Sequence, residues 1–219
     1  NITIEFQGGE PLVNFETVKF IVQYANKKNK LAKKELWISL VSNLTFMTQE
    51  RLDFFIKNNV GICTSLDGPQ HLHNKQRVLL GKNSYKNTLK WIRIIQKEIK
   101  KSNVYKYKVN ALTTITRFSL SYPKEIVDEF VNLGLEGIHL RPVNPFGINK
   151  KIWQKISFSA EDFLNFYKKA LDYIIELNLK GEKFYERTAR IFLTKILTDK
   201  DPSFLDIRAP CGAGIGQLA

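Results

Sequence analysis

Two glycines followed by a carboxylate, Gly8-Gly9-Glu10-Pro11, stand directly after the alternating segment Ile2-Thr3-Ile4-Glu5-Phe6. Adjacent glycines let backbone N–H and C=O groups approach a ligand with no side chain in the way. Glu10 offers a negative charge to a cationic group, and Pro11 stiffens the exit. An ordinary turn has the same composition. Further along, Ser65-Leu66-Asp67-Gly68 ends another β-branched run, with Asp67-Gly68 also able to form a simple turn, and Arg141-Pro142-Val143-Asn144 ends a third. His71 and His73 flank Leu72 in what reads as a loop; with no Cys or Asp at ligand spacing, a surface or substrate-loop role fits better than a metal. His139 alternates within a short apolar run and reads as packed. Cys63 precedes Ser65 by two and shares its face, which makes it a small residue of the interior. Cys211, before Gly212 and Gly214, suits metal ligation by its neighbours, but a single thiolate holds no cluster.

The elements that must position these residues alternate. Strands are expected over Ile2–Phe6, Leu36–Val41, Val60–Leu66, Tyr105–Ile115 and Gly137–Leu140, pairing in parallel in that order. Between them lie amphipathic stretches: one capped by Asn14 and running to Asn29, one capped by Thr48, one over Ser84–Lys101, and one from Pro123 to Gly134. Ser159-Ala160-Glu161-Asp162 opens a long helix with a capping-box start, and Glu182–Thr198 reads as another. Alternating β and α segments specify a parallel sheet with right-handed crossovers, either doubly wound or part of a (β/α) barrel. In both, ligands gather at the strand carboxyl ends. Those ends carry Gln7 to Glu10, Ser42-Asn43, Ser65 to Gly68, Thr113 to Arg117 and Arg141 to Asn144.

Composition narrows the function. The chain has 34 Lys+Arg against 21 Asp+Glu, a net charge of +13, but the excess is chiefly lysine at helix ends, such as Lys27, Lys28 and Lys30, with no Arg-rich arm. A solvated basic surface accounts for that better than a nucleic-acid site. No apolar run reaches membrane-spanning length. Two cysteines far apart imply a reducing, cytoplasmic setting and no disulfide framework. Asn1 opens inside a strand-like segment, so the chain is expected to be cut from something longer. A Rossmann fingerprint is missing, because Gly8-Gly9 runs into Glu-Pro.

Glu5 to Leu12 resembles the motif with which radical S-adenosylmethionine enzymes hold the methionine ammonium. Ser65-Leu66-Asp67-Gly68-Pro69, with His73-Asn74 and Arg77, resembles the matching region of anaerobic sulfatase-maturating enzymes and their peptide-modifying relatives. Leu140 to Val143 resembles their later strand. Pro210-Cys211-Gly212-Ala213-Gly214 resembles entry into the auxiliary-cluster region called SPASM. The radical maturase of His-Xaa-Ser systems is the narrower likeness.

The resemblance implies an α/β fold, a partial (β/α) barrel of parallel strands over residues 1–206 with extra C-terminal helices, and the start of a SPASM-like region at 207–219. It implies reductive cleavage of S-adenosylmethionine by a 4Fe–4S cluster, giving a radical that abstracts hydrogen from a peptide or protein substrate, with an external electron donor. Gly8, Gly9 and Glu10 would hold the methionine amino end. Ser65 would face its carboxylate or the ribose, with Asn43 nearby and Asp67 of the same motif among the cofactor-binding residues. Arg141 and Asn144 would close the wall near the adenine, and Cys211 would ligate an auxiliary cluster in the intact protein. The family's Cys-x3-Cys-x2-Cys loop lies upstream of the Gly-Gly-Glu-Pro strand and has no counterpart here, so this chain alone is expected to be inactive. The competing reading is a non-catalytic barrel module that binds a peptide or nucleic acid.

Overall fold

The computed structural model describes residues 1–79, 83–103, 105–146 and 149–200. Strands β1 (Ile2–Phe6), β2 (Leu36–Val41), β3 (Val60–Ser65), β4 (Asn110–Ile115) and β6 (Leu140–Pro142) form one sheet in that order, every pair parallel. Strand β5 (Gly137–Ile138) pairs in parallel with β7 (Tyr185–Glu186). Helices α1 (Phe15–Ala32), α2 (Gln49–Lys57), α3 (Gln70–Gln76), α4 (Ser84–Lys101), α5 (Pro123–Asn132), α6 (Asn149–Ile156), α7 (Ala160–Leu179) and α8 (Arg187–Leu197) fill the connections. This is the expected partial (β/α) barrel. Among the described residues, no helix is long and apolar enough to cross a membrane.

Alternation decides which side of the sheet is core. Ile38, Leu40, Ile62, Ala111 and Ile115 are buried and face the helices, where Val18, Val22, Leu52, Phe55, Ile92, Ile95, Ile126 and Phe130 cover them. The intervening residues face the concave side and mix polar side chains, Thr3, Glu5, Ser39, Cys63 and Asn110, with Trp37, Val41 and Leu112. A parallel sheet covered on both faces would be apolar throughout; this one keeps a partly polar face on the cavity.

The helix signals land close to where the sequence puts them. Asn14 accepts from the Thr17 N–H at 3.4 Å, Thr48 from Arg51, and Ser159 and Asp162 form a reciprocal capping box. Four boundaries differ. Tyr105 to Val109 does not join the ladder: the Tyr105 hydroxyl donates to the Val60 carbonyl at 2.9 Å and the Lys106 N–H to Asn59 at 2.9 Å, so side chains satisfy backbone groups that pairing would have used. The expected fifth strand, Gly137–Leu140, divides, its first half pairing with β7 and its end joining β4. The helix expected from Glu182 starts only at Arg187, because Tyr185–Glu186 is a strand and Glu186 is the N-cap. The His71–His73 loop is helix α3. Helices α6 and α7 are thus no appendage but the crossover that brings β7 beside β5. The region 207–219 lies outside the described residues.

Glu186 holds this last unit together. It is 2% exposed, and its carboxylate accepts from the Leu140 N–H at 3.3 Å, the Tyr167 hydroxyl at 2.5 Å and the Ala189 N–H at 2.7 Å. Burial, followed by this bond, drives the Tyr167 hydroxyl far above the ordinary phenol range. Glu186→Ala strands buried donors from β6, α7 and α8 and should cost about 3 kcal/mol in urea denaturation. Glu176→Ala, on the exposed face of α7 where it pairs with Lys180, should change stability by less than about 0.5 kcal/mol.

Candidate functional site

The turn after β1 is fastened by its own carboxylate. Glu10 accepts from the Leu12 N–H at 3.1 Å, the Ser42 hydroxyl at 2.7 Å and the Asn43 N–H at 2.9 Å. Ser42 in turn accepts from the Leu44 N–H at 2.9 Å. The loop leaving β1 is therefore tied to the loop leaving β2, and Arg51 adds a second tie by donating to the Leu12 and Phe46 carbonyls at 3.1 and 2.5 Å. These bonds make Glu10 a structural anchor as well as a charge at the strand end. Gly8 sits at φ +129°, and a Cβ built on Gly9 meets no atom within 4 Å. The backbone of this turn is consequently bare on its open side. Asn43 is exposed, its side-chain oxygen accepting from the Thr45 N–H at 2.8 Å.

The turn after β3 is fastened in the same way and more deeply. Asp67 is 1% exposed. Its oxygens accept from Arg77 Nε at 2.7 Å and a terminal guanidinium nitrogen at 3.1 Å, and from the Thr114 N–H at 2.9 Å. The Asp67 N–H donates to His73 Nδ1 at 3.2 Å, and His73 is wholly buried. A Cβ on Gly68, at φ +117°, would lie 2.8 Å from Ile126. Two expectations are corrected here. The Asp67 side chain is consumed inside the fold, as is its backbone N–H, and His73 is a core residue with no surface role. Ser65 is half-buried at the end of β3, in register with Leu112.

A cavity of about 620 Å³ occupies the concave face. Its lining includes Glu5 and Gln7 of the β1 wall, Trp37, Ser39 and Val41 of β2, Cys63 of β3, and Arg141 of β6. Of the residues expected to converge, Arg141 lines it. Gly8, Gly9, Asn43 and Ser65 stand at the carboxyl ends of neighbouring strands, one or two residues beyond lining residues Gln7, Val41 and Cys63, and are not themselves in the lining. Asn144 is exposed beyond β6, its side-chain oxygen accepting from the Phe146 N–H at 3.2 Å. Cys63 lines the cavity half-buried; burial pushes its thiol up to about 12, with Arg187 opposing and Glu5 adding to the shift. It is therefore protonated and unreactive at neutral pH. His139 also lines the cavity. Lys108, Arg187 and Arg190 were not anticipated there. A helix over Glu182–Thr198 would put both arginines in its interior, whereas the strand Tyr185–Glu186 sets them in the first turn of α8 beside the cavity. Among the described residues no group of three or more His, Cys, Asp or Glu could hold a metal ion, and Cys211 lies outside those residues.

No family model matches the chain. It is 27% identical over 183 residues to the cysteine-type anaerobic sulfatase-maturating enzyme of Clostridium novyi, covering 78% of this chain and 46% of that protein. It is 30% identical over 95 residues to the radical SAM cyclopropyl synthase TigE of Paramaledivibacter caminithermalis, covering 43% of this chain and 19% of that protein. Among solved structures, native anSMEcpe with bound AdoMet and Cp18Cys peptide superposes with a TM-score of 0.77 at 23% identity, over 93% of this chain and 55% of that one. The chain thus spans about half the length of the sulfatase-maturating relatives it matches, and its fold is the radical SAM partial barrel.

His73 yields a pH test. Burial, against a smaller opposing effect of Asp67 and with Arg77 adding to it, lowers its pKa to about 4 from an ordinary 6.5. The folded state therefore binds fewer protons than the unfolded state between those values. Its contribution is complete above pH 6.5 and is lost as pH falls towards 4, amounting to about 3 kcal/mol. The stability advantage of wild type over His73→Gln should shrink by that order between pH 7 and 4 in urea titrations. Parallel pH profiles would contradict the assignment.

Proposed function

We propose that this chain is the cofactor-binding barrel portion of a radical S-adenosylmethionine enzyme that modifies a peptide or protein. The observation carrying the reading is the turn Gly8-Gly9-Glu10-Pro11 at the carboxyl end of β1. Its backbone is uncovered while its carboxylate is spent on holding it in place. A space that a single Cβ at Gly9 would enter fits a ligand held by main-chain groups, and the methionine ammonium of S-adenosylmethionine is such a ligand. Gly8 and Gly9 would offer carbonyl acceptors to it, Glu10 would act by fixing the turn, and Ser65, Asn43, Arg141 and Asn144 would line the remaining rim. When bound, S-adenosylmethionine supplies the sulfonium whose reductive cleavage starts hydrogen abstraction from the substrate. An external donor provides the electron, and a reducing cytoplasm suits the free thiol of Cys63. The described residues offer no ligand set for a 4Fe–4S cluster, so no step is assigned to one here.

The similarity to sulfatase-maturating enzymes over most of the chain supports the same reading, as does an anSMEcpe structure holding both AdoMet and a peptide on this fold. It favours a peptide substrate over a small molecule.

Glu10→Gln is a poor test, because it weakens the fold and the site together. Gly9→Ala separates them: the position has no left-handed φ and no neighbour to strike. In the complete protein, reconstituted anaerobically, Gly9→Ala should leave the melting midpoint within about 2 °C. It should weaken S-adenosylmethionine binding by about tenfold or more in calorimetry. Unchanged affinity would reduce the motif to a turn and remove the main support for this function.

A further inference from the structure

The cavity is electrically lopsided. Lys108, Arg141, Arg187 and Arg190 line it, and among the described lining residues Glu5 is the sole carboxylate. The cations share one side: Lys108 precedes β4, Arg141 belongs to β6, and Arg187 and Arg190 lie in the first turn of α8. Glu5 lies on β1, at the opposite edge of the sheet. Lys108 is paired with Glu136 outside the lining. The Arg190 guanidinium lies over the Tyr185 ring at 4.2 Å, which orients it without neutralising it. Arg187 is close enough to Cys63, on the cavity face of β3, for its charge to act on that thiol. Both α8 arginines are solvent-exposed.

We infer that this wall receives the side-chain carboxylates of an acidic peptide, with Arg187 and Arg190 making the contact. The inference rests on the peptide-modifying reading and names its substrate class. A planar guanidinium meets a carboxylate through two parallel hydrogen bonds, a geometry a lysine cannot reproduce. A peptide is favoured over nucleic acid because these cations line a cavity of about 620 Å³, which admits a few residues of extended chain. A nucleic acid backbone needs a continuous external stripe of charge. Exposed lysines such as Lys27 and Lys30 stand instead on the surface of α1.

Calorimetry on the full chain tests this with short blocked Gly/Ser peptides bearing three glutamates, no charge, or three lysines, and with an oligothymidylate of similar length. The glutamate peptide should bind about tenfold more tightly than the neutral one near physiological ionic strength, where diffuse surface attraction is screened. Arg187→Gln/Arg190→Gln should abolish the difference, while Lys27→Gln/Lys30→Gln, removing the same charge from the exposed face of α1, should preserve it. The inference is overturned by no preference for glutamate, by an equal loss in the lysine control, or by tighter oligothymidylate binding through the same arginines. Failure of the S-adenosylmethionine reading would appear in Gly9→Ala and leave these affinities untouched. Loss of the glutamate preference with that result intact would sink this inference alone.

Discussion

A carboxylate buried beside a neighbouring strand's backbone N–H is the interaction on which this barrel's rim depends. The Asp67 carboxyl group, almost without solvent contact, is tolerable only because a guanidinium and a backbone N–H replace its water. Removing one partner of such a pair costs about 3–5 kcal/mol. That penalty fixes the ends of β3 and β4 and the end of α3 relative to one another. Glu10 does the same between the ends of β1 and β2, and Glu186 between β6, α7 and α8. Parallel strands end with backbone groups that no hairpin satisfies. Here the side chains supply the missing partners, and the loops of the carboxyl-end rim inherit their rigidity from them.

That rigidity is what a cofactor site needs. A ligand recognised by bare backbone gains nothing from a turn that must be ordered on binding, since the ordering cost would be subtracted from affinity. With Glu10 and Arg51 already holding the turn after β1, the glycines can remain uncovered without becoming mobile. The same sheet keeps its other requirement separate: residues facing the helices are apolar and closely packed, whereas the alternate positions that face the cavity are free to carry Glu5, Ser39, Cys63 and Arg141. Stability and chemistry thus use opposite faces of the same strands.

The alternation of apolar and polar residues made the first three strands legible, and side-chain caps at Asn14, Thr48 and Ser159 made the helix starts legible. What stayed hidden depended on partners distant in sequence. Tyr105 and Tyr107 look like strand residues, but the hydroxyl of Tyr105 reaches Val60, on a segment 45 residues away. Gly137–Leu140 looks like one strand, but its ends have different neighbours. Glu10 and Asp67 were identified as charged residues at strand ends, yet a carboxylate beside a glycine reads the same whether it faces a ligand or a neighbouring N–H. Only the position of Ser42, Asn43, Arg77 and Thr114 in space separates those cases.

The strong positive charge divides along the same line. Lysines such as Lys27 and Lys30 stand in solvent on α1, where a flexible ammonium contributes solubility at little energetic consequence. Arginines are used differently. Arg51, Arg77 and Arg117 donate to the Leu12 and Phe46 carbonyls, to Asp67, and to the Ser157 carbonyl respectively. Arg141, Arg187 and Arg190 instead line the cavity. A rigid fork of donors is an asset where geometry is fixed and is wasted on an open surface. Counting charge alone therefore misleads about this chain: the lysines set its net charge, and the arginines, fewer and better placed, set what its interior can receive.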